Sequence, residues 1–225
     1  MTFILNLLNT DFSLLVSDRK GCIDGPVTLT MGKLTIRSQS GVNLMGVKKL
    51  YFNADSSMAF GFAGNTADHG CIPAIEKSGT PSEGMSILRK HMDEYLWADH
   101  RAEVAHHQGP YVQNQAIATF FDPDVKLYFS TLHLYSRISY STELLRITRP
   151  LLTHIGSGSN AFEKAVGVEE IRRFAGSVGT VERLDEYLGW LKEAFKKVSA
   201  IDTGCGEEVR AVLSTKADPA FREIT

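Results

Sequence analysis

In this chain the segments patterned as strands and those patterned as helices come in blocks, not in alternation, and that order narrows the folds open to it. Every patterned segment before Gly64 reads as strand. Thr2–Leu8 and Phe12–Ser17 are apolar runs joined across Asn9-Thr10-Asp11, as in a hairpin. Val27–Met31 and Leu34–Arg37 flank Gly32-Lys33 as a second hairpin, and Lys49–Phe52 and Met58–Phe62 form a third pair.

A helical block follows. Asn65 or Thr66 can cap a first helix carrying Ile72, Ala74 and Ile75 before Gly79. Pro81-Ser82-Glu83 opens a second, with Ile87, Leu88, Met92, Tyr95 and Leu96 at helical spacing. Strands return at Ala116–Phe121 and Lys126–Leu132, which are separated by Asp122-Pro123-Asp124, and at Leu151–Ile155. Asn160 is the expected cap of a helix to Val166. A longer helix is expected over Val181–Val198, and Val209–Leu213 is the last strand. This order does not alternate strand and helix, so a parallel doubly wound sheet is not expected. It predicts an α+β domain of two packed antiparallel sheets with helix pairs outside. No linker or repeat divides the chain, so one domain is expected over 1–215, with 216–225 as a polar C-terminal tail.

Charge removes several function classes. Lys plus Arg number 24 against 26 Asp plus Glu, a net of −2, which leaves no basic footprint for nucleic acid or an anionic membrane. Cys22, Cys71 and Cys205 are far apart and form no CxxC pair. A disulfide framework and a cysteine zinc site are therefore not expected, and a reducing cytoplasm fits. No apolar run approaches the length of about 18 residues read as a membrane span. Met1-Thr2-Phe3-Ile4 lacks the basic region of a signal peptide. His106-His107 has no nearby partner at metal-ligand spacing and reads as a solvated loop; no metal or cofactor is expected.

The candidate chemistry begins at Thr2. Removal of Met1 would leave a residue bearing both a nucleophilic hydroxyl and a free α-amine, whose ordinary pKa of about 7.7–8 suits a general base. Further segments follow in order. Val16-Ser17-Asp18 ends a strand, Lys48-Lys49 opens one, and Phe60-Gly61-Phe62-Ala63-Gly64 runs from strand toward helix. Ile155-Gly156-Ser157-Gly158-Ser159 and Asp202-Thr203-Gly204-Cys205-Gly206 come later. Each has an ordinary alternative. Asp18 and Lys49 can be solvated strand ends, and Gly64 a tight turn. The Gly156–Ser159 run can hold a phosphate on backbone N–H groups, although it lacks the Gly-Lys-Ser/Thr of a P-loop.

Taken in order, these motifs resemble the proteasome β subunits and their bacterial relatives HslV, Anbu and the betaproteobacterial proteasome homologue, which are N-terminal-nucleophile (Ntn) hydrolases. The resemblance implies a four-layer αββα sandwich and amide hydrolysis through an acyl-enzyme on Thr2. It implies that Asp18 and Lys49 tune the nucleophile and that the Gly64 N–H holds the oxyanion. Ser157, Asp202 and Cys205 would surround the amine, and Phe62 with Val47 would line a shallow apolar pocket for the residue before the cleaved bond. Cys205 stands where the family usually has serine. Residues 22–47 form an insertion between Asp18 and Lys49, and it must leave Lys49 within reach of Thr2. The implied partners are a peptide or polypeptide substrate and further copies of the chain in a ring or helical assembly. An ATP-dependent unfoldase is left open. A silent structural subunit and a small-molecule amidase of the same fold are the alternatives.

Overall fold

The computed structural model describes residues 2–23, 27–31, 34–38, 42–63, 70–91, 114–135 and 140–225. Strands β1 (Phe3–Leu8) and β2 (Phe12–Asp18) form the expected hairpin, with Ile4 opposite Ser17 and Leu8 opposite Ser13. Asn9 closes the turn, its Oδ1 accepting the Asp11 and Phe12 N–H groups at 2.8 and 2.9 Å. β12 (Leu151–Gly156) pairs with β1 on one side, β13 (Val209–Thr215) with β2 on the other, and β14 (Arg222–Glu223) completes a five-stranded sheet. The second five-stranded sheet runs in the order β11 (Tyr140–Arg146), β10 (Leu127–Tyr135), β9 (Asn114–Asp122), β8 (Met58–Ala63), β7 (Leu50–Phe52). All pairings in both sheets are antiparallel.

Side-chain alternation along the strands sorts the apolar residues into three layers. Ile4, Leu8 and Leu15 of the first sheet meet Leu50, Ala59, Ala63 and Ile117 of the second. On the opposite face of the first sheet, Phe3, Leu5, Phe12, Leu14 and Val16 pack against α3 (Gly158–Val166), α4 (Val168–Ser177) and α5 (Leu184–Ile201). On the outer face of the second sheet, Phe60, Phe62, Ala116 and Ala118 pack against α1 (Ile72–Lys77) and α2 (Pro81–Lys90). Polar side chains cross the inter-sheet layer as well. Asn6 Nδ2 donates to Ser130 Oγ at 3.2 Å, and Ser13 Oγ lies 3.1 Å from Thr119 Oγ1, all within the buried core. Among the described residues no helix is long and apolar enough to cross a membrane.

Several elements differ from the expectation. α4 was not expected: its apolar stripe is narrow, and Phe174 is the residue it buries. Glu169 and Glu170 in its first turn favour the helix through the macrodipole. β11 lies at a sheet edge, and its segment Ser141–Leu144 is exposed, so its sequence lacks the apolar alternation of a half-buried strand. Residues 216–225, expected as a polar tail, run back onto the first sheet. Phe221 is 3% exposed, its N–H donates to Ser56 O at 2.7 Å, and Thr225 Oγ1 accepts the Ala211 N–H at 2.8 Å. In the expected insertion, β4 (Val27–Met31) pairs with β5 (Leu34–Ser38) as a hairpin. β3 (Gly21–Ile23) pairs with β6 (Val42–Leu44) in the same register. The expected helix residues Met92, Tyr95 and Leu96, the capping candidates Asn65 and Thr66, and His106-His107 lie outside the described residues.

Candidate active site

Asp18, at the end of β2, is fully buried, and its carboxylate gathers donors from four separate stretches of chain. Oδ1 accepts the Phe3 N–H at 2.8 Å and Lys49 Nζ at 2.7 Å. Oδ2 accepts the Gly206 N–H at 3.1 Å and the Lys20 N–H at 3.2 Å. The Lys49 side chain is 4% exposed, so the ammonium and carboxylate form a desolvated pair. Such a pair is tolerated where further hydrogen bonds satisfy the ions, and here backbone N–H groups do so for Asp18.

The frame around the pair is made by the backbone. Arg19 N–H donates to Glu208 O at 3.1 Å, extending the β2–β13 ladder, and Val47 N–H donates to Arg19 O at 2.9 Å. The second of these bonds returns the chain to the site after the insertion. Lys49, separated by 31 positions from Asp18, is thereby brought back beside it, immediately before β7.

Thr2 directly precedes β1 and is 4% exposed. Gly156, the ladder partner of Phe3, has φ of +103°, and a Cβ there would lie 2.0 Å from the Thr2 carbonyl oxygen. Only glycine admits this approach. Ser157 stands at the N-cap position of α3, where serine normally caps the helix, yet its side chain makes no cap bond. Its Oγ is instead 3.5 Å from Thr2 O, a long contact. A Cβ on Gly158 would meet Phe3 Cβ at 2.7 Å and Cys205 Sγ at 2.8 Å, which puts the Cys205 thiol against the start of β1. Asp202 shapes its loop by accepting the Gly204 N–H at 2.9 Å and lies 3.4 Å from Cys205 Sγ. Burial, with the Asp18 and Asp202 carboxylates adding to it, raises the pKa of Cys205, so this position holds a neutral thiol.

The structure thus brings Asp18 and Lys49 together, with Thr2 adjoining the same carboxylate through the Phe3 N–H. Ser157 and Gly156 lie against Thr2, Cys205 lies beside Phe3, and Asp202 reaches this group through Cys205. No protein-family model matches the chain, and no curated protein sequence matches it.

The remaining candidates are placed differently. Gly64 lies outside the described residues. Phe62 is 3% exposed within the layer under α1 and α2, with its ring edge-on to Phe60 at a centroid distance of 5.9 Å. Val47 is half-buried at the base of the insertion, with Cγ2 2.9 Å from where a Cβ on Gly21 would sit. Among the described residues no cluster of His, Cys, Asp or Glu has the geometry of a metal site. Sequence reasoning missed the N–H groups of Phe3, Lys20 and Gly206, because backbone donors leave no mark on residue type. It also missed Gln115, whose Oε1 accepts the Gly156 N–H at 2.5 Å. A polar residue at the start of an otherwise apolar strand was the available signal.

Proposed function

We propose that this chain is a threonine-type peptidase of the proteasome-like family, with the αββα sandwich of an Ntn hydrolase. The observation that carries the reading is the buried Asp18 carboxylate, whose Oδ1 binds both Lys49 Nζ and the N–H of the residue after Thr2. A desolvated ion pair has an energetic cost that a merely structural strand end does not require, and this one adjoins the proposed nucleophile.

In the proposed reaction Met1 has been removed. The Thr2 α-amine takes the proton from Oγ1, and the alkoxide adds to the scissile carbonyl. The Lys49 ammonium stabilises the developing charge at Oγ1, and Asp18 keeps that ammonium charged and aimed. Gly64 is the assigned donor to the tetrahedral oxyanion. Collapse breaks the C–N bond, the amine returns its proton to the leaving group, and an ester on Thr2 remains. Water, activated by the same amine, then hydrolyses the ester and restores the free hydroxyl. By resemblance alone Phe62 and Val47 are the proposed pocket residues, favouring apolar side chains before the cleaved bond; Phe62 is packed beneath α1 and α2, and Val47 is half-buried. The active form is proposed as a homo-oligomeric ring or helical assembly acting on peptides or unfolded polypeptides in the cytoplasm.

Hydrolysis of a fluorogenic peptide panel and of unfolded casein tests this reading. The wild type is expected to cleave peptides with apolar residues before the bond. Thr2→Ala is expected to be inactive, and Lys49→Met to lose about 10²–10³-fold in kcat, the range seen when a charge-stabilising group is removed. Turnover of small amides without turnover of casein or peptides points to the amidase alternative. Activity retained by Thr2→Ala refutes the nucleophile.

A further inference from the structure

Gln115 lies on the inner side of β9, in phase with Ile117 and Thr119, and its partner across the β8–β9 ladder is Ala63. Ala63 is the last described residue before Gly64. From the second sheet the Gln115 side chain crosses to the first, where Oε1 accepts the Gly156 N–H at 2.5 Å. Gly156 in turn pairs with Phe3, and a Cβ built on it would fall 2.0 Å from Thr2 O and 3.3 Å from Ala63 Cβ. One amide therefore bridges the strand end leading to Gly64 and the turn that bears Ser157 and presses on the Thr2 carbonyl.

We propose that Gln115 is a positioning residue for the chemistry of Thr2. It sets the spacing between β1, which follows the nucleophile, and the end of β8 at Ala63. This inference rests on the peptidase reading. In this role Gln115 acts through the backbone of Gly156. Its carbonyl fixes Gly156, and Gly156 fixes the Thr2 backbone by direct contact. A buried N–H without an acceptor is costly, so loss of Oε1 would let the Gly156 turn seek another partner and shift away from Thr2. Small displacements of this kind act on the rate of the chemical step more than on substrate binding.

The test compares the full-length wild type with Gln115→Met, which keeps the length but loses the acceptor, and with Gln115→Glu, which keeps an acceptor oxygen. Peptide hydrolysis and hydrogen exchange at the Gly156 amide are both measured. In Gln115→Met, kcat is expected to fall by about 10–100-fold with KM unchanged, and Gly156 exchange to accelerate. Gln115→Glu is expected to restore amide protection and most of kcat. Unchanged exchange in Gln115→Met overturns the tether. Faster exchange with unchanged kcat, or a rise in KM in place of the fall in kcat, overturns the positioning role. A wild type that hydrolyses no peptide brings down the peptidase reading and the positioning role with it, and the exchange data still decide the tether separately.

Discussion

Removing either partner of the Asp18–Lys49 pair should destabilise the protein, and by different amounts. Lys49→Met leaves the Asp18 carboxylate buried, but Phe3, Lys20 and Gly206 still donate N–H bonds to it. Asp18→Ala leaves a buried ammonium without its carboxylate and deprives those N–H groups of their acceptor. Breaking a buried pair costs about 3–5 kcal/mol. Lys49→Met belongs at the low end of that range, and Asp18→Ala at or above the high end. For a chain of 225 residues, at about 2–4 °C per kcal/mol, Tm should fall by about 6–12 °C in Lys49→Met and about 10–20 °C in Asp18→Ala. The double variant gives the sharper test, because it also removes the ammonium that has lost this carboxylate. It should be more stable than Asp18→Ala alone, a sign that independent sites cannot produce. Thermal unfolding and urea titration of the three variants measure this. Additive losses, or single variants that melt with the wild type, would refute the buried pair.

Burial holds the pKa of His154 below its ordinary value, against the opposing pull of Glu163, whose Oε1 is 3.7 Å from Nε2. The unfolded chain therefore takes up this proton first as pH falls, and stability drops from about pH 6.5 downward. His154→Gln should show a smaller decline in urea midpoint between pH 7 and pH 5 than the wild type, and an equal decline would contradict the assignment. The Cys71 thiol is pushed up to about 12 by burial, and Cys205 is raised as well. Both should resist iodoacetamide at pH 7.5 in the native protein and react in urea, as peptide mapping would reveal; native labelling of either would count against their placement. A Cβ on Gly61 would meet Ile4 Cδ1 at 2.8 Å and Lys49 O at 3.1 Å. Gly61→Ala should consequently cost about 1–3 kcal/mol by overpacking the inter-sheet layer, and a wild-type Tm would show that the layer yields.

Much of the sheet architecture is legible in the chain, because long apolar runs such as Phe3–Leu8 and Phe12–Asp18 are buried on both faces and leave little choice of element. The segments that escape notice take their stability from neighbours. β11 borrows its ladder from β10, and the residues after Lys216 are held by Phe221 and Ile224 and by backbone bonds to β13. Asn6, Ser13, Thr119 and Ser130 look like interruptions in apolar strands, yet they satisfy one another and the backbone between the sheets. In the candidate site, Asp18 and Lys49 could be singled out by residue type and order. Their meeting depends on the Val47–Arg19 backbone bond that returns the chain after the insertion, and no residue type encodes that bond.

The most direct measurement is the intact mass of the purified protein after incubation with a peptide epoxyketone, which bonds to both the hydroxyl and the amine of a terminal threonine. One adduct is expected on a chain that has lost Met1, mapped to Thr2 and absent from Thr2→Ala. A chain that keeps Met1 and takes up no inhibitor, or an adduct that persists in Thr2→Ala, would contradict it.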